Sequence, residues 1–194
     1  MGNDSLDITQ QYLKKNATYE DLYKIPESMI GQIINNKLVV TPRPSYRHAS
    51  VTSDLGAEII PPYKFGRGGP GGWIILYEPE IKLGENIFVP DLAGWKKEKL
   101  LKLPATNYIS ISPDWICEVL SPSTEKTDRA RKMPIYAQFG VSYFWIIDPI
   151  EKVLEIFKLS GNQWIVVGTY AEDDKVKPEP FQEIEIDLKN LWLD

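Results

Sequence analysis

The sequence predicts an α/β (α+β) protein with a mixed central β-sheet that is flanked by helices and supplemented by β-hairpins. Short runs rich in β-branched and aromatic residues, which favour strands, recur between residues 73 and 170. One helical pattern precedes these runs and another interrupts them, an order typical of mixed α and β layers. With 194 residues, 43% of them hydrophobic, the chain is expected to form one compact domain over residues 1–194.

The first 72 residues predict three helices, one hairpin and one surface loop. The predicted helices cover residues 8–15, 19–24 and 48–60, the hairpin strands cover 31–34 and 37–40, and the glycine-rich loop covers 64–72. Asn35-Asn36 separates the two hairpin strands and tolerates the positive φ of a tight turn. Pro61-Pro62 is expected to end the third helix. Residues 1–28 are therefore expected to form a helical extension of the domain.

The rest of the chain predicts strands around a single helix. The predicted strands cover residues 73–77, 80–83, 87–95, 115–120, 143–148, 153–159, 163–170 and 181–186. Between them, residues 96–103 predict a short basic helix or loop, and residues 127–139 predict a helix that ends at Gly140. Residues 171–194 form an acidic C-terminal segment. Tryptophans in the strands are expected in the core, since stacking on bases would need exposure.

Composition excludes several classes of protein and site. No apolar run reaches the ~18 residues of a membrane span, and the N-terminus lacks the pattern of a signal peptide, so we expect a cytoplasmic protein without a membrane partner. A single cysteine, Cys117, excludes an internal disulfide, and a single histidine, His48, excludes paired-histidine metal sites. Cys117 lies in an apolar run and is expected to be a buried hydrophobe. Chemistry must therefore rest mainly on Asp, Glu, Lys and Arg.

The net charge of −5 argues at first against a partner that binds through its phosphates. Residues 171–194, however, contain eight acidic and three basic residues, which account for the whole imbalance. Residues 1–170 contain 19 of each and are neutral overall. A DNA partner is therefore compatible with the composition.

Two acidic residues lie in apolar strand patterns. Strand alternation places Asp91 on the same face as Val89 and Ala93, and Glu118 on the face of its own apolar neighbours. A carboxylate buried in this way needs a cation or several hydrogen-bond donors. Lys132 lies on the apolar stripe of the following helix, one turn before Tyr136, and can supply that cation. Two interpretations stay open: a buried salt-bridge cluster, or an Mg²⁺ site built for phosphodiester hydrolysis.

The longer stretches around these residues resemble a known family. The runs VPDLAGW, WICEVLSPSTEKTDRARKMPIYAQFGVSYFWIIDP and IINNKLVVTPRPSYRHA are similar to the bacterial Uma2 family of the PD-(D/E)XK nuclease superfamily, over residues 18–160. The resemblance implies a restriction-endonuclease-like core. It also implies Mg²⁺ or Mn²⁺ held by Asp91, Glu118 and the main-chain carbonyl of Val119. The lysine that the superfamily formula places at Leu120 is implied instead at Lys132 on the next helix.

The resemblance implies a function, and this sequence departs from the expected pattern at two positions. It implies a Mg²⁺-dependent endonuclease that cleaves DNA through a metal-activated water, with Lys132 orienting or activating that water. Gln32 stands where the family usually has glutamate, so this accessory residue adds no negative charge to the site. The alternative is a weakened or inactive nuclease fold that serves as a nucleic-acid-binding or assembly module. Pro134 is expected to kink the helix or to delay its start.

Two further side chains and the assembly state complete the expectations. His48 matches a histidine of the family and is expected either to contact phosphate or the site, or to cap and pack its helix. Arg129 is expected either to bind a DNA phosphate or to pair with an acidic neighbour such as Glu125 or Asp128. Many nucleases of this class dimerise, so the resemblance makes a homodimer a candidate assembly.

Overall fold

The structure is a computed structural model that describes residues 14–192, so the predicted helix at 8–15 lies almost wholly outside the described residues. The helices are α1 (Tyr19–Leu22), α2 (Tyr46–Ile59), α3 (Glu125–Thr127) and α4 (Met133–Gln138), with π-helical turns at Ile60–Lys64 and Asp128–Lys132 and a 3₁₀ turn at Leu188–Leu191. The strands are β1 (Met29–Ile34), β2 (Lys37–Pro42), β3 (Trp73–Tyr77), β4 (Glu80–Leu83), β5 (Asn86–Phe88), β6 (Leu92–Lys96), β7 (Tyr108–Ile109), β8 (Trp115–Val119), β9 (Tyr143–Asp148), β10 (Val153–Ser160), β11 (Gln163–Ala171), β12 (Lys175–Val176) and β13 (Ile186–Asp187).

Two large mixed sheets carry the fold. A six-stranded sheet has the order β11-β10-β9-β8-β6-β3, and a five-stranded sheet has the order β2-β1-β5-β4-β7. Each sheet contains one parallel pair, β8 with β9 and β4 with β7, among antiparallel neighbours. The expected mixed sheet with helices and extra hairpins is thus confirmed, and the hairpins prove to build the second sheet.

Core packing arranges these elements in layers. Helix α2 buries Val51, Leu55 and Ile59 on one face of the six-stranded sheet, where the C-terminal segment also packs through Phe181. The other face of that sheet packs against the five-stranded sheet and helix α4. Four tryptophans and the cysteine expected in the core are buried there: Trp73, Trp95, Trp115, Trp145 and Cys117. The C-terminal segment is therefore part of the packed domain.

The single strand predicted at 87–95 was wrong. The chain forms β5 up to Phe88 and β6 from Leu92, and these two strands belong to different sheets. Pro90 lies at the break, where its missing N–H cannot serve a sheet ladder. Asp91 is therefore not in a strand, and the alternation that placed it on a shared face with Ala93 does not apply.

Several other boundaries differ from the predictions. Pro61-Pro62 does not end the helical path, because a π-helical turn continues to Lys64. Residues 181–186 form turns, with only Ile186 in a strand. Residues 97–103 are turns and loop rather than a helix, and β7 was not predicted. Within residues 14–192 no helix is long and apolar enough to cross a membrane.

The helix predicted at 127–139 begins at Glu125 and contains the π-helical turn Asp128–Lys132. In this turn the Met133 N–H donates to the Asp128 carbonyl, five residues earlier. The wider turn comes directly before Pro134, which lacks the N–H of a regular helix. The helical path thus passes the proline, and Gly140, with φ +72°, ends it as predicted.

Candidate active site

A cavity of about 320 Å³ opens where β8 ends and β6 begins. Its lining comes from five segments of the chain that the sheets bring together. The charged, histidine and amide side chains in this lining are Gln32, Arg43, His48, Asp91, Glu118, Asp128 and Lys132. Every residue of β8 is buried, so Glu118 reaches the cavity from within the core.

Glu118 lies in a buried cluster with a lysine, a tyrosine and an aspartate. Lys132 Nζ lies 3.1 Å from both Glu118 carboxylate oxygens, and the Tyr136 hydroxyl donates to Glu118 Oε1 at 2.7 Å. Lys132 Nζ also lies 2.9 Å from Asp128 Oδ1. All four residues are at most 3% exposed. The lysine predicted to face the sheet does so, and one cation serves two carboxylates.

Asp91 is held by other means at the break between the sheets. The Val119 N–H donates to Asp91 Oδ2 at 2.7 Å. His48 Nε2 lies 3.2 Å from Asp91 Oδ1, while the buried Nδ1 of the same ring has no hydrogen-bond partner among the described residues. Ser45 caps helix α2 by accepting from the His48 backbone N–H at 3.3 Å, so His48 lies in the first turn of this helix. Of the two predicted positions for His48, the one at the site is therefore observed.

Burial and neighbouring charges shift the pKa values of three groups in the site. Burial raises the pKa of Glu118, and the neighbouring Asp128 and Asp91 carboxylates raise it further against the opposing effect of Lys132. Burial opposes the charged form of Lys132, but attraction by Glu118 and Asp128 is stronger, so the lysine pKa is raised and it stays protonated. Burial likewise opposes a charged His48, yet its bond to Asp91 raises the net pKa. The acidic neighbours thus disfavour the ionised form of Glu118 and favour the protonated forms of Lys132 and His48.

Two predicted accessory residues occupy different places. Gln32 is buried and lines the cavity, and its Oε1 accepts from the Val89 N–H at 3.0 Å. Arg129 does not line the cavity. It pairs with Glu155 on β10 and lies 3.5 Å from Glu125, so the expected acidic partnership is observed.

Sequence reasoning missed the role of Asp128 and did not assign Tyr136 to the site. Asp128 precedes Lys132 by four residues, and this spacing places both on one face of a helix. That spacing was a usable signal. Tyr136 shares the same stripe, but a tyrosine on an apolar face is usually core, and nothing in the sequence distinguishes the two roles.

The donors fit a hard divalent cation in their chemistry. Asp91, Glu118 and the Val119 backbone reach the same cavity, and magnesium is commonly held by one or two carboxylates together with water and substrate phosphate. Within residues 14–192, no three His, Cys, Asp or Glu side chains are grouped so that they could hold a metal ion. The two observations are compatible, since this donor set has two side chains and one carbonyl.

Comparisons with known proteins agree with this fold and give its family. The Uma2 family model, described as “Putative restriction endonuclease”, matches residues 17–189. A crystal structure described as a putative nuclease belonging to DUF820, from Anabaena variabilis ATCC 29413, superposes with a TM-score of 0.72 at 23% sequence identity. The match covers 91% of this chain and 97% of that chain, so the two share a fold. Among curated proteins, none matches this chain.

Proposed function

We propose that this chain, which belongs to the Uma2 family, is a Mg²⁺-dependent endonuclease that hydrolyses phosphodiester bonds in DNA. The observation that carries the proposal is the convergence of Asp91, Glu118 and Lys132 in one cavity of about 320 Å³. These residues come from a sheet break, a buried strand and a helix, so their meeting is a property of the fold.

The contacts of each residue support the role that we propose for it. Asp91, Glu118 and the Val119 carbonyl would hold the metal ion, which when bound polarises a phosphate oxygen and lowers the pKa of a water. Lys132 stays protonated between two carboxylates. It is therefore suited to orient the water and to offset charge on the phosphate, rather than to remove a proton. Tyr136 fixes one Glu118 oxygen through its hydroxyl.

Cleavage assays test the proposal directly. Supercoiled plasmid and single-stranded DNA are incubated with Mg²⁺ or Mn²⁺, with EDTA as the control for metal dependence. We expect metal-dependent products that disappear in Asp91→Ala. Asp173→Ala is a matched control, because Asp173 is exposed and does not line the cavity. Absence of metal-dependent products from the wild-type protein, or their persistence in Asp91→Ala, would reject the assigned chemistry.

One observation favours a second candidate, a nuclease fold kept as a nucleic-acid-binding or assembly module. Both oxygens of Glu118 are already contacted by Lys132, so a metal would have to share or displace an existing cation. Calorimetric titration with Mg²⁺ or Mn²⁺ separates the two candidates. Measurable binding that is lost in Asp91→Ala supports the enzyme, and negligible heat together with intact DNA binding supports the module.

A further inference from the structure

Two loops beside the start of β3 and the end of β6 form a basic surface whose residues do not line the cavity. We define the basic loop surface as residues 64–72 and 96–103. These segments contain six basic residues and one acidic residue, Glu98, in a chain whose net charge is −5. The basic residues are Lys64, Arg67, Lys96, Lys97, Lys99 and Lys102. These 17 residues thus carry a formal net charge of +5, from six basic residues and one acidic residue.

The fold places the two loops side by side. Lys96 pairs with Trp73 across the β3–β6 ladder, and the Lys97 N–H donates to the Gly72 carbonyl at 2.9 Å. Lys64 Nζ donates to the Ile75 carbonyl at 2.9 Å. Asp114 neutralises part of the surface, since its carboxylate lies 3.2 Å from Lys99 Nζ. Arg67, Lys97 and Lys102 are exposed and keep their charges at the surface.

An aromatic ring is exposed within this surface. Phe65 is 57% exposed, and the Arg67 guanidinium lies 5.3 Å from its ring centroid. Between residues 65 and 72 the remaining positions are glycine apart from Pro70, so few other side chains compete for this space. Basic groups beside an exposed aromatic ring are the combination that binds nucleic-acid backbones and stacks on bases.

We infer that the basic loop surface binds the phosphate backbone of a nucleic acid, at a place separate from the cavity. This inference rests on the proposed function for the identity of the polyanion. Lys96, the residue of this surface at the end of β6, lies five positions after Asp91, a distance of about 16 Å at roughly 3.3 Å per residue. That distance corresponds to about five base pairs at 3.4 Å each, so a duplex longer than one helical turn is long enough to reach both places.

Binding measured without metal tests the inference independently of cleavage. Fluorescence anisotropy of labelled duplex DNA is recorded in EDTA at several salt concentrations, for the wild-type full chain and the triple variant Arg67→Ala/Lys97→Ala/Lys102→Ala. We expect about tenfold weaker binding at low salt. The slope of log K against log salt should become shallower by about 0.9 for each phosphate that the variant no longer neutralises. Phe65→Ala should weaken binding of single-stranded DNA more than of duplex.

A charge-matched control separates a local surface from net charge. Lys37→Ala/Lys177→Ala/Lys189→Ala removes the same charge from exposed positions outside the two loops. Equal weakening by both triple variants, no weakening by either, or no DNA binding by wild type would overturn the inference. It would also be overturned if the loop variant lost binding to phosphatidylcholine–phosphatidylserine vesicles while its DNA binding stayed unchanged. Wild-type protein that binds through the loops but cleaves nothing would leave the surface standing and reject the nuclease.

Discussion

Asp91 and Glu118 face the same cavity but are held in different ways. Glu118 lies inside a strand, 3% exposed, and its oxygens are contacted by Lys132 and Tyr136. Asp91 lies at a break between two sheets, 14% exposed in its side chain, and is held by the Val119 N–H and His48. The difference indicates a division of labour: the side-chain cluster around Glu118 contributes rigidity, and Asp91 is the carboxylate more open to a ligand from solvent.

The largest effect on stability is expected when Lys132, the cation of the Glu118 cluster, is removed. Lys132→Met leaves Glu118 and Asp128 buried without their shared partner, so we expect the free energy of unfolding to fall by about 3–5 kcal/mol. Arg129→Met is the matched control on the same helical segment, where half-exposed pairing contributes about 0.2–1 kcal/mol. Chemical denaturation measures both changes. Equal losses in the two variants would show that burial of the Lys132 cluster has no special energetic weight.

A smaller effect is expected when the tyrosine that holds Glu118 loses its hydroxyl. Tyr136→Phe keeps the buried ring and removes one hydrogen bond to a carboxylate, a loss of about 1.5–3 kcal/mol. Tyr143→Phe removes a comparable 2.7 Å bond to Glu179 at the surface and should be milder. Thermal unfolding of the pair measures the difference. A larger loss in Tyr143→Phe would contradict the rigid role assigned to the cluster.

Adding a carboxylate to the cavity tests whether the carboxylates there bind a metal ion. Gln32→Glu adds a carboxylate to a cavity that Asp91, Glu118 and Asp128 already line, so metal-free stability should fall and Mn²⁺ affinity should rise. We expect about tenfold tighter binding, or about 1.4 kcal/mol. Calorimetry measures the affinity, and the exposed Gln138→Glu is the control. Unchanged affinity in Gln32→Glu would indicate that the cavity does not bind metal through the Gln32 position.

The smallest change in stability is expected at Asp21, a reference carboxylate whose pKa is set mainly by hydrogen-bond donors rather than by neighbouring carboxylates. The Lys14 side chain, the Thr18 N–H and Lys24 lower its pKa. A lowered folded-state pKa stabilises the protein above the unfolded-state pKa, and this contribution is lost as pH falls through the folded-state value. The melting-temperature gap between wild type and Asp21→Asn should therefore narrow as pH falls below about 4. A gap that widens in acid would contradict the assigned contacts.

Local patterns predicted the parts of the fold that local forces dominate. The Asn35-Asn36 hairpin turn has positive φ at both residues, as expected, and strands β3, β4, β8, β9 and β10 lie at or within one or two residues of their predicted bounds. The π-helical turn at Asp128–Lys132 was not predictable from periodicity, since its hydrogen-bond register depends on how the helix meets Pro134 and the sheet. Pro90 is a signal for a break between two strands, but the apolar residues on both sides of it matched the pattern of one continuous strand.

The sequence by itself determined that a charged residue in an apolar pattern needs a partner, because a buried carboxylate must be compensated wherever the chain places it. Glu118 and Lys132 follow from that rule, whereas the strand pattern that selected Asp91 was wrong; burial of the four tryptophans follows from their strand patterns. Only the tertiary structure decided which partner each acid has. Lys132 pairs with Glu118 and Asp128, and His48 pairs with Asp91, because the distances between these side chains depend on how two sheets and a helix pack together. Packing also joined two distant loops into one basic surface, an arrangement of segments that no local pattern encodes.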